Sequence, residues 1–132
     1  MFSQVLDLRF RVLREPLNMP RGSEHNKLDT DSIHFGLFCF NKLVACLSLC
    51  TSGINRGKLF QMGVHQEHQS SGFGSQILLF CLNYAKENSF SHVFLHGRHH
   101  ATGFYKKFGF EVEGDSFEEV GIKHFKMIVK ID

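Results

Sequence analysis

The chain has 132 residues, 42% of them hydrophobic and 21% charged, with a formal net charge of +2, which suits one globular core and excludes a polyanion-binding charge excess. The sequence has no basic run, no apolar stretch of about 18 residues and no leader pattern at its amino end, so nucleic-acid, membrane and secreted readings are set aside. Cys39, Cys46, Cys50 and Cys81 lie inside apolar runs without a C-x-x-C pair, and read as small core residues of a cytoplasmic protein.

In chain order, residues 3–14 predict an amphipathic helix. Ser3 is the N-cap, Val5, Leu8, Val12 and Leu13 form the apolar stripe, and Asp7, Arg9, Arg11 and Arg14 face away from it. Pro16 ends this helix. Residues 15–32 are polar, hold both prolines and read as a long loop of the kind that often carries function. Ile33–Phe40 and Leu43–Cys50 are strand-like runs joined at Asn41-Lys42 as a hairpin. Lys58–Val64 has strand character, with Leu59, Gln61 and Gly63 alternating against Phe60, Met62 and Val64.

After a polar loop, His65–Ser71, the segment Gly72-Phe73-Gly74 opens a helix whose Ile77, Leu78, Cys81, Leu82 and Ala85 share one face. Ser91–His96 is a short buried strand. Ala101, Phe104, Tyr105 and Phe108 follow helical spacing, Lys106 and Lys107 suit the negative end of that helix, and Gly109 is placed at C′. Phe110–Gly114 and Lys123–Ile131 read as a final antiparallel pair around an acidic loop, Asp115–Gly121.

Strand, glycine turn and helix in that order aim unpaired backbone N–H groups and the positive end of a helix dipole at one spot, which favours a phosphate. The turn lacks the Lys-Ser/Thr ending of a P-loop, and Ile77 stands where a Rossmann fingerprint has its third glycine. The other reading of the two glycines is close packing of the helix on the sheet. Nine histidines raise the question of a metal. His65 and His68 stand at H-x-x-H, but His96 ends a strand and His99 and His100 are adjacent and diverge, so no metal site is assigned.

Two motifs carry a family resemblance. Gln69-Ser70-Ser71-Gly72-Phe73-Gly74 resembles the (Arg/Gln)-x-x-Gly-x-(Gly/Ala) loop of the GNAT N-acetyltransferase superfamily, and Ala101–Phe110 resembles that superfamily's A-x-x-F-Y-x-K-x-G-F segment. The segments Leu8-Arg9-x-x-Val12-Leu13-x-Glu15, Asp29-x-Asp31-x-x-His34 and Phe117–Met127 resemble the ElaA-type branch. The resemblance implies an α/β (α+β) fold, with 1–132 as one N-acetyltransferase domain. Its mixed central sheet would have splayed middle strands flanked by helices, and its first strand is missing or shortened here. It implies an acyltransferase that moves acetyl from acetyl-CoA directly to a primary amine of a small molecule or protein. A homodimer is possible, and the alternative is a non-catalytic acyl-CoA-binding module.

By the same resemblance, Met62, Gly63 and Val64 hold the pantetheine arm. Gln69, Ser70, Ser71, Gly72, Phe73, Gly74 and Ser75 hold the pyrophosphate. Phe104 and Tyr105 line the groove, Lys107 reaches a nucleotide phosphate, and Tyr105 gives a proton to the leaving thiolate. Acyl transfer to an amine also needs a neutral nucleophile. Glu15, His34, Glu118, Glu119 and His124 are the candidates for the base or for acceptor contacts. Arg98 replaces the Asn found in many members, which offers a phosphate or carboxylate contact there.

Overall fold

The structure, a computed structural model, describes residues 2–131. Helix α1, Phe2–Arg9, buries Val5 and Leu8 against Leu43 and Cys46. The expected helix then widens into a π turn, Phe10–Arg14, where the Glu15 N–H donates to the Phe10 carbonyl. Such turns are rare and cluster at functional sites. Pro16 sits in the 3-10 turn that follows, Glu15–Leu17, which Asn18 ends in the left-handed region at φ 58°.

Arg9 departs from its expected place on the polar face: it is fully buried. Its guanidinium donates to both carboxylate oxygens of Asp29 and to Ser48 Oγ, each at 3.0 Å. The Ser48 hydroxyl lies 2.7 Å from His34 Nδ1, and His34 Nε2 lies 3.0 Å from the Asp29 carbonyl. A carbonyl only accepts, so Nε2 carries the imidazole proton and Nδ1 accepts from Ser48. Helical periodicity cannot show such a partner set, because its members lie far apart in the chain.

Strands β1, Ser32–Cys39, and β2, Lys42–Thr51, form the expected hairpin. The turn falls on Phe40-Asn41, one residue earlier than the sequence suggests, with both residues at positive φ (51° and 65°). That pair of dihedrals matches the twist of the flanking strands. Strand β3, Arg56–Val64, pairs antiparallel with β2 and parallel with β4, His92–Arg98. Between them in sequence lies α2, Phe73–Glu87, which buries Ile77, Leu78, Cys81 and Ala85 on the sheet as its spacing predicts.

Strict alternation along β3 fails at Gln61. This residue sits at φ 54°, where the pairing with β2 shifts register between Cys46 and Ser48. The bulge inserts one residue and reverses the faces beyond it. Leu59, Met62 and Val64 therefore share the α2 face, whereas Phe60 lies under Arg9 and Gly63 under Val12 on the α1 face.

The Tyr105 helix, α3, is shorter than expected, Thr102–Lys106, preceded by a 3-10 turn at His99–Ala101. Gly109 takes φ 90°, with Gly109 N–H on the Lys106 carbonyl and Phe110 N–H on the Tyr105 carbonyl. This is the C′ glycine the sequence predicts. Strands β5, Glu111–Val112, β6, Phe117–Glu119, and β7, Ile122–Lys130, complete the sheet. The segment expected as an acidic loop thus contains a strand. β6 has three residues and pairs with β7 through the tight turn Val120-Gly121, too short to leave a periodic signal.

Among the described residues seven strands run β1-β2-β3-β4-β7-β5, with β6 also on β7, and only β3–β4 is parallel. Among the described residues no strand precedes α1, and β1 forms that edge. α2 and α3 cover one face of the sheet, and α1 with its following loop covers the other.

Candidate active site

Parallel pairing of β3 with β4 stops at Leu59 and Leu95. β3 runs on to Val64 beside β2, and β4 runs on to Arg98 beside β7, so the two middle strands separate. Backbone polar groups on the open edge of β3 have no strand partner there, and a groove of this kind can receive an extended ligand arm. A cavity of about 530 Å³ occupies the gap and is lined from both faces of the sheet.

On the α2 face stand Met62, Leu78, Leu95 and Tyr105. Tyr105 packs edge-on against Phe104 and Phe110, with ring centroids 5.2 and 5.9 Å away. Among the described residues its hydroxyl meets only the thioether of Met62, at 3.7 Å. Burial pushes the phenol up to about 12, with Arg98 opposing the shift. It is therefore a protonated donor, aimed at a sulfur, with no strong acceptor of its own.

At the open end of the groove the loop runs into α2. Gly72 is the N-cap at φ 79°, and the first helical bond is Gln76 N–H to the Gly72 carbonyl at 3.1 Å. The preceding N–H groups of Phe73, Gly74 and Ser75 are the free donors of a helix start. Gln69, Ser70, Ser71 and Gly72 are exposed around them, and Gln69 ties back to β3 by donating to the Val64 carbonyl at 3.2 Å. The two glycines differ in reason. A Cβ on Gly72 would meet nothing within 4 Å, so its conformation and the open approach explain it, whereas one on Gly74 would lie 3.2 Å from Met62 Cε. Gly74 serves close packing as well as access.

The α1 face supplies the cavity's charged groups, beside Val12, Leu13 and Phe60. Glu119, on β6, has Oε1 3.2 Å from His96 Nδ1 and Oε2 3.7 Å from His124 Nε2. His124 is buried, and its Nδ1–H donates to the Ile122 carbonyl at 2.7 Å, which leaves Nε2 facing Glu119. Burial, with Lys58 nearby, lowers His96 below the usual imidazole value, so it is neutral at pH 7. Arg14, carried there by the π turn, and Arg98, at the end of β4, complete this wall.

The structure thus gathers Met62, Gln69, Tyr105, Glu119 and His124 around one cavity. It does not gather Glu15, His34 or Glu118 there. Glu15 is exposed at the 3-10 turn, Glu118 is exposed on β6 opposite Lys123, and both ring nitrogens of His34 are taken by Ser48 and Asp29. Lys107 is exposed after α3, and Phe104 packs against the core. Arg14 and His96 escaped the sequence reading: the first looks like one charge of a polar helix face, the second like one of many histidines. Away from the cavity, His65, Glu67 and His68 bring potential ligand atoms within 4.8 Å of one another, one short of a closed four-ligand site.

Residues 25–131 match the family model described as an acetyltransferase (GNAT) domain. Three solved structures share the fold. An acyl-CoA N-acyltransferase from Pseudomonas aeruginosa superposes with a TM-score of 0.87 at 22% identity, over 97% of this chain and 89% of the other. Escherichia coli ElaA superposes with a TM-score of 0.83 at 22% identity, over 97% and 88%. An aminoglycoside 6'-N-acetyltransferase complexed with coenzyme A gives 0.79 at 13% identity, over 98% and 90%.

Proposed function

The chain belongs to the GNAT acetyltransferase family, and from that premise we propose that it transfers acetyl from acetyl-CoA directly to a primary amine. The observation that carries this reading is the cavity at the strand gap, with Tyr105 on one side and Glu119 with His124 on the other. The pyrophosphate would lie on the N–H groups that open α2, and the pantetheine arm along Met62–Val64. The residues fit such a ligand: free donors stand at the helix start, no side chain blocks Gly72, and the edge of β3 is open. The whole of 1–132 would act as one transferase domain.

The amine enters from the α1 face, and the gap holds it against the thioester, replacing a collision by a fixed geometry. Its excess proton passes to Glu119, or to His124 Nε2 through it. Nitrogen attacks the acyl carbon, the C–N bond forms and the C–S bond breaks. The departing thiolate takes its proton from the Tyr105 hydroxyl, and the second proton that the acylated nitrogen sheds restores the phenol, so the products are the neutral amide and the free thiol. The test is calorimetry with CoA together with free-thiol release from acetyl-CoA across an amine panel. CoA binding with amine-dependent thiol release and an N-acetylated product is the expected result. Tight CoA binding without amine-dependent release would make the protein a binding module.

Gly72→Glu is expected to abolish CoA binding, because it sets a carboxylate where the pyrophosphate lies. Left-handed backbone also penalises a side chain by roughly 1–2 kcal/mol, so Gly72→Asn, which tolerates that region, is the control. The Asn variant should retain most affinity. Unchanged affinity in a folded Gly72→Glu protein would move the site elsewhere.

Transfer should proceed without an acyl-enzyme. Cys46 packs under β3, 3.7 Å from where a Cβ on Gly63 would stand, and burial pushes its thiol up to about 11. Cys81 is pushed up to about 12 for the same reason. Thiols this high are poor nucleophiles at neutral pH. Rapid-quench mass spectrometry should find no acetylated protein during turnover; a covalent acetyl group on Cys46 would establish a two-step route instead.

A further inference from the structure

The acceptor wall of the cavity carries a charge pattern that selects among amines, an inference that rests on the acetyl-transfer reading. Arg14 and Arg98 are half-buried, and among the described residues their hydrogen-bond partners are main-chain carbonyls alone. Arg14 Nε donates to the Ser23 carbonyl and Nη1 to the Leu13 carbonyl, both at 3.2 Å, and Arg98 Nη2 donates to the same Leu13 carbonyl at 3.1 Å. Sharing one carbonyl brings two like charges together, and their mutual repulsion is felt in the lowered pKa of Arg14, after burial itself.

Among the described residues neither guanidinium has a carboxylate within ion-pair distance. Arg9, Arg11 and Arg21 each do, at 3.0, 2.9 and 3.1 Å. Lys58 lines the same cavity, and Glu119 is the one carboxylate that does. Cations outnumber anions on this wall, in a setting where burial amplifies charge. Such a surface repels a polyamine or any acceptor that is only cationic. It suits an acceptor that brings its own anion.

We propose that the acceptor is an amine bearing a carboxylate, of the amino-acid class. Arg14 and Arg98 grip the carboxylate with donors the protein leaves unused, a planar geometry that suits guanidinium and that an ammonium cannot reproduce. The amine of the same molecule then points to Glu119 and through the gap toward the thioester. The π turn is what places Arg14 for this, and Arg98 at the end of β4 supplies the second cation.

The experiment compares matched acceptors that differ by the carboxylate: L-phenylalanine with phenethylamine, L-lysine with cadaverine, and L-methionine with 3-(methylthio)propylamine. Each is assayed for kcat/KM by free-thiol release from acetyl-CoA, and for binding to the CoA-loaded protein by calorimetry. For at least one pair the carboxylate member should win by about tenfold or more, since a site built to hydrogen-bond a group discriminates against its absence. Arg98→Gln should shrink that ratio mainly through KM, with CoA affinity unchanged, and Arg98→Lys should restore part of it; Arg14→Gln should act in the same direction. Equal or better performance of the decarboxylated member in every pair overturns the proposal. So does a ratio unmoved in folded Arg14→Gln and Arg98→Gln proteins. If no amine is acetylated, binding decides: carboxylate-selective binding keeps this inference and sinks the transferase reading, and binding without that preference sinks this inference.

Discussion

Asp29→Asn is expected to destabilise the protein by about 3 kcal/mol, at the low end of the range for removing one partner of a buried ion pair. The loss arises on the Arg9 side. Arg9 is fully buried, and Asp29 holds it with two hydrogen bonds of 3.0 Å while exposing 13% of its own side chain. Ser48 Oγ and the Glu24 carbonyl still accept from Arg9 in the variant, at 3.0 and 3.3 Å, and keep the loss from being larger. A fall in Tm on the order of 10 °C corresponds to it for a chain of this size. The control is Asp7→Asn. Its ion pair with Arg11, 2.9 Å apart and about half exposed on both sides, is expected to contribute less than about 1 kcal/mol.

Acid should act through the same carboxylate. Burial alone would raise Asp29, but the hydrogen bonds from Arg9 and from the Asn26 N–H outweigh it and hold the group below 3.8. The native state therefore releases this proton at lower pH than the unfolded chain does. Its stabilisation is complete above the unfolded value, about 3.9, and is lost as pH falls through the lower native value. Urea titrations between pH 3 and 7 should show a flatter acid limb in Asp29→Asn. A midpoint shift no larger than that of Asp7→Asn would mean that Ser48 and Glu24 suffice to hold Arg9.

The Arg9 clasp also shows where the sequence was legible and where it was not. Periodicity marks what repeats: the Ile77–Leu78–Cys81–Ala85 face of α2 lies buried as its spacing requires. The glycine loop before α2 and the Tyr105 helix are visible as local motifs, because each is made of a few consecutive residues. Features made by distant residues leave no such trace. Arg9 reads as a surface charge until Asp29 and Ser48 fold against it. Gln61 reads as one more alternating strand residue, since nothing but a bulge without glycine reverses the faces of β3. The acceptor wall is assembled from the π turn, the end of β4 and the three-residue β6, so Arg14, Arg98 and Glu119 never stand near one another in the sequence.

Those distant contacts also order the site. Arg9 fastens α1 to β2 and to the loop at Asp29, and the π turn leaves directly from that anchor. Leu13, within the turn, then lends its carbonyl to Arg14 and Arg98, which ties α1 to the end of β4. Loosening the clasp should therefore disturb the Arg14 and Arg98 wall before it affects the glycine loop that opens α2 on the other face of the sheet.

Tyr105→Phe is expected to lower the rate of acetyl transfer by roughly 10²–10⁴-fold, the usual worth of a positioned acid. The substitution keeps the ring, and with it the contacts to Phe104 and Phe110 and the close approach to Gly97, where a Cβ would lie 3.4 Å from Tyr105 Cδ2. It removes one hydroxyl, whose one recorded partner is the weak acceptor sulfur of Met62 at 3.7 Å. Stability should therefore change by less than about 1 kcal/mol, and CoA affinity should hardly move. A phenol raised to about 12 is a weak acid beside a thiol in water, near 8.5, so the transfer needs the sulfur's own basicity to rise. Burial acts on a thiolate as it does on the phenol, disfavouring the charged form, so a sulfur leaving in the buried part of the gap is more basic than one in water. The proton transfer is favoured to that extent. Single-turnover rates of Tyr105→Phe, read alongside its Tm and its CoA affinity, decide the matter. Full activity in a folded variant would make Tyr105 a packing residue and hand the proton to water; a slow step with intact CoA binding and intact Tm assigns it to the hydroxyl.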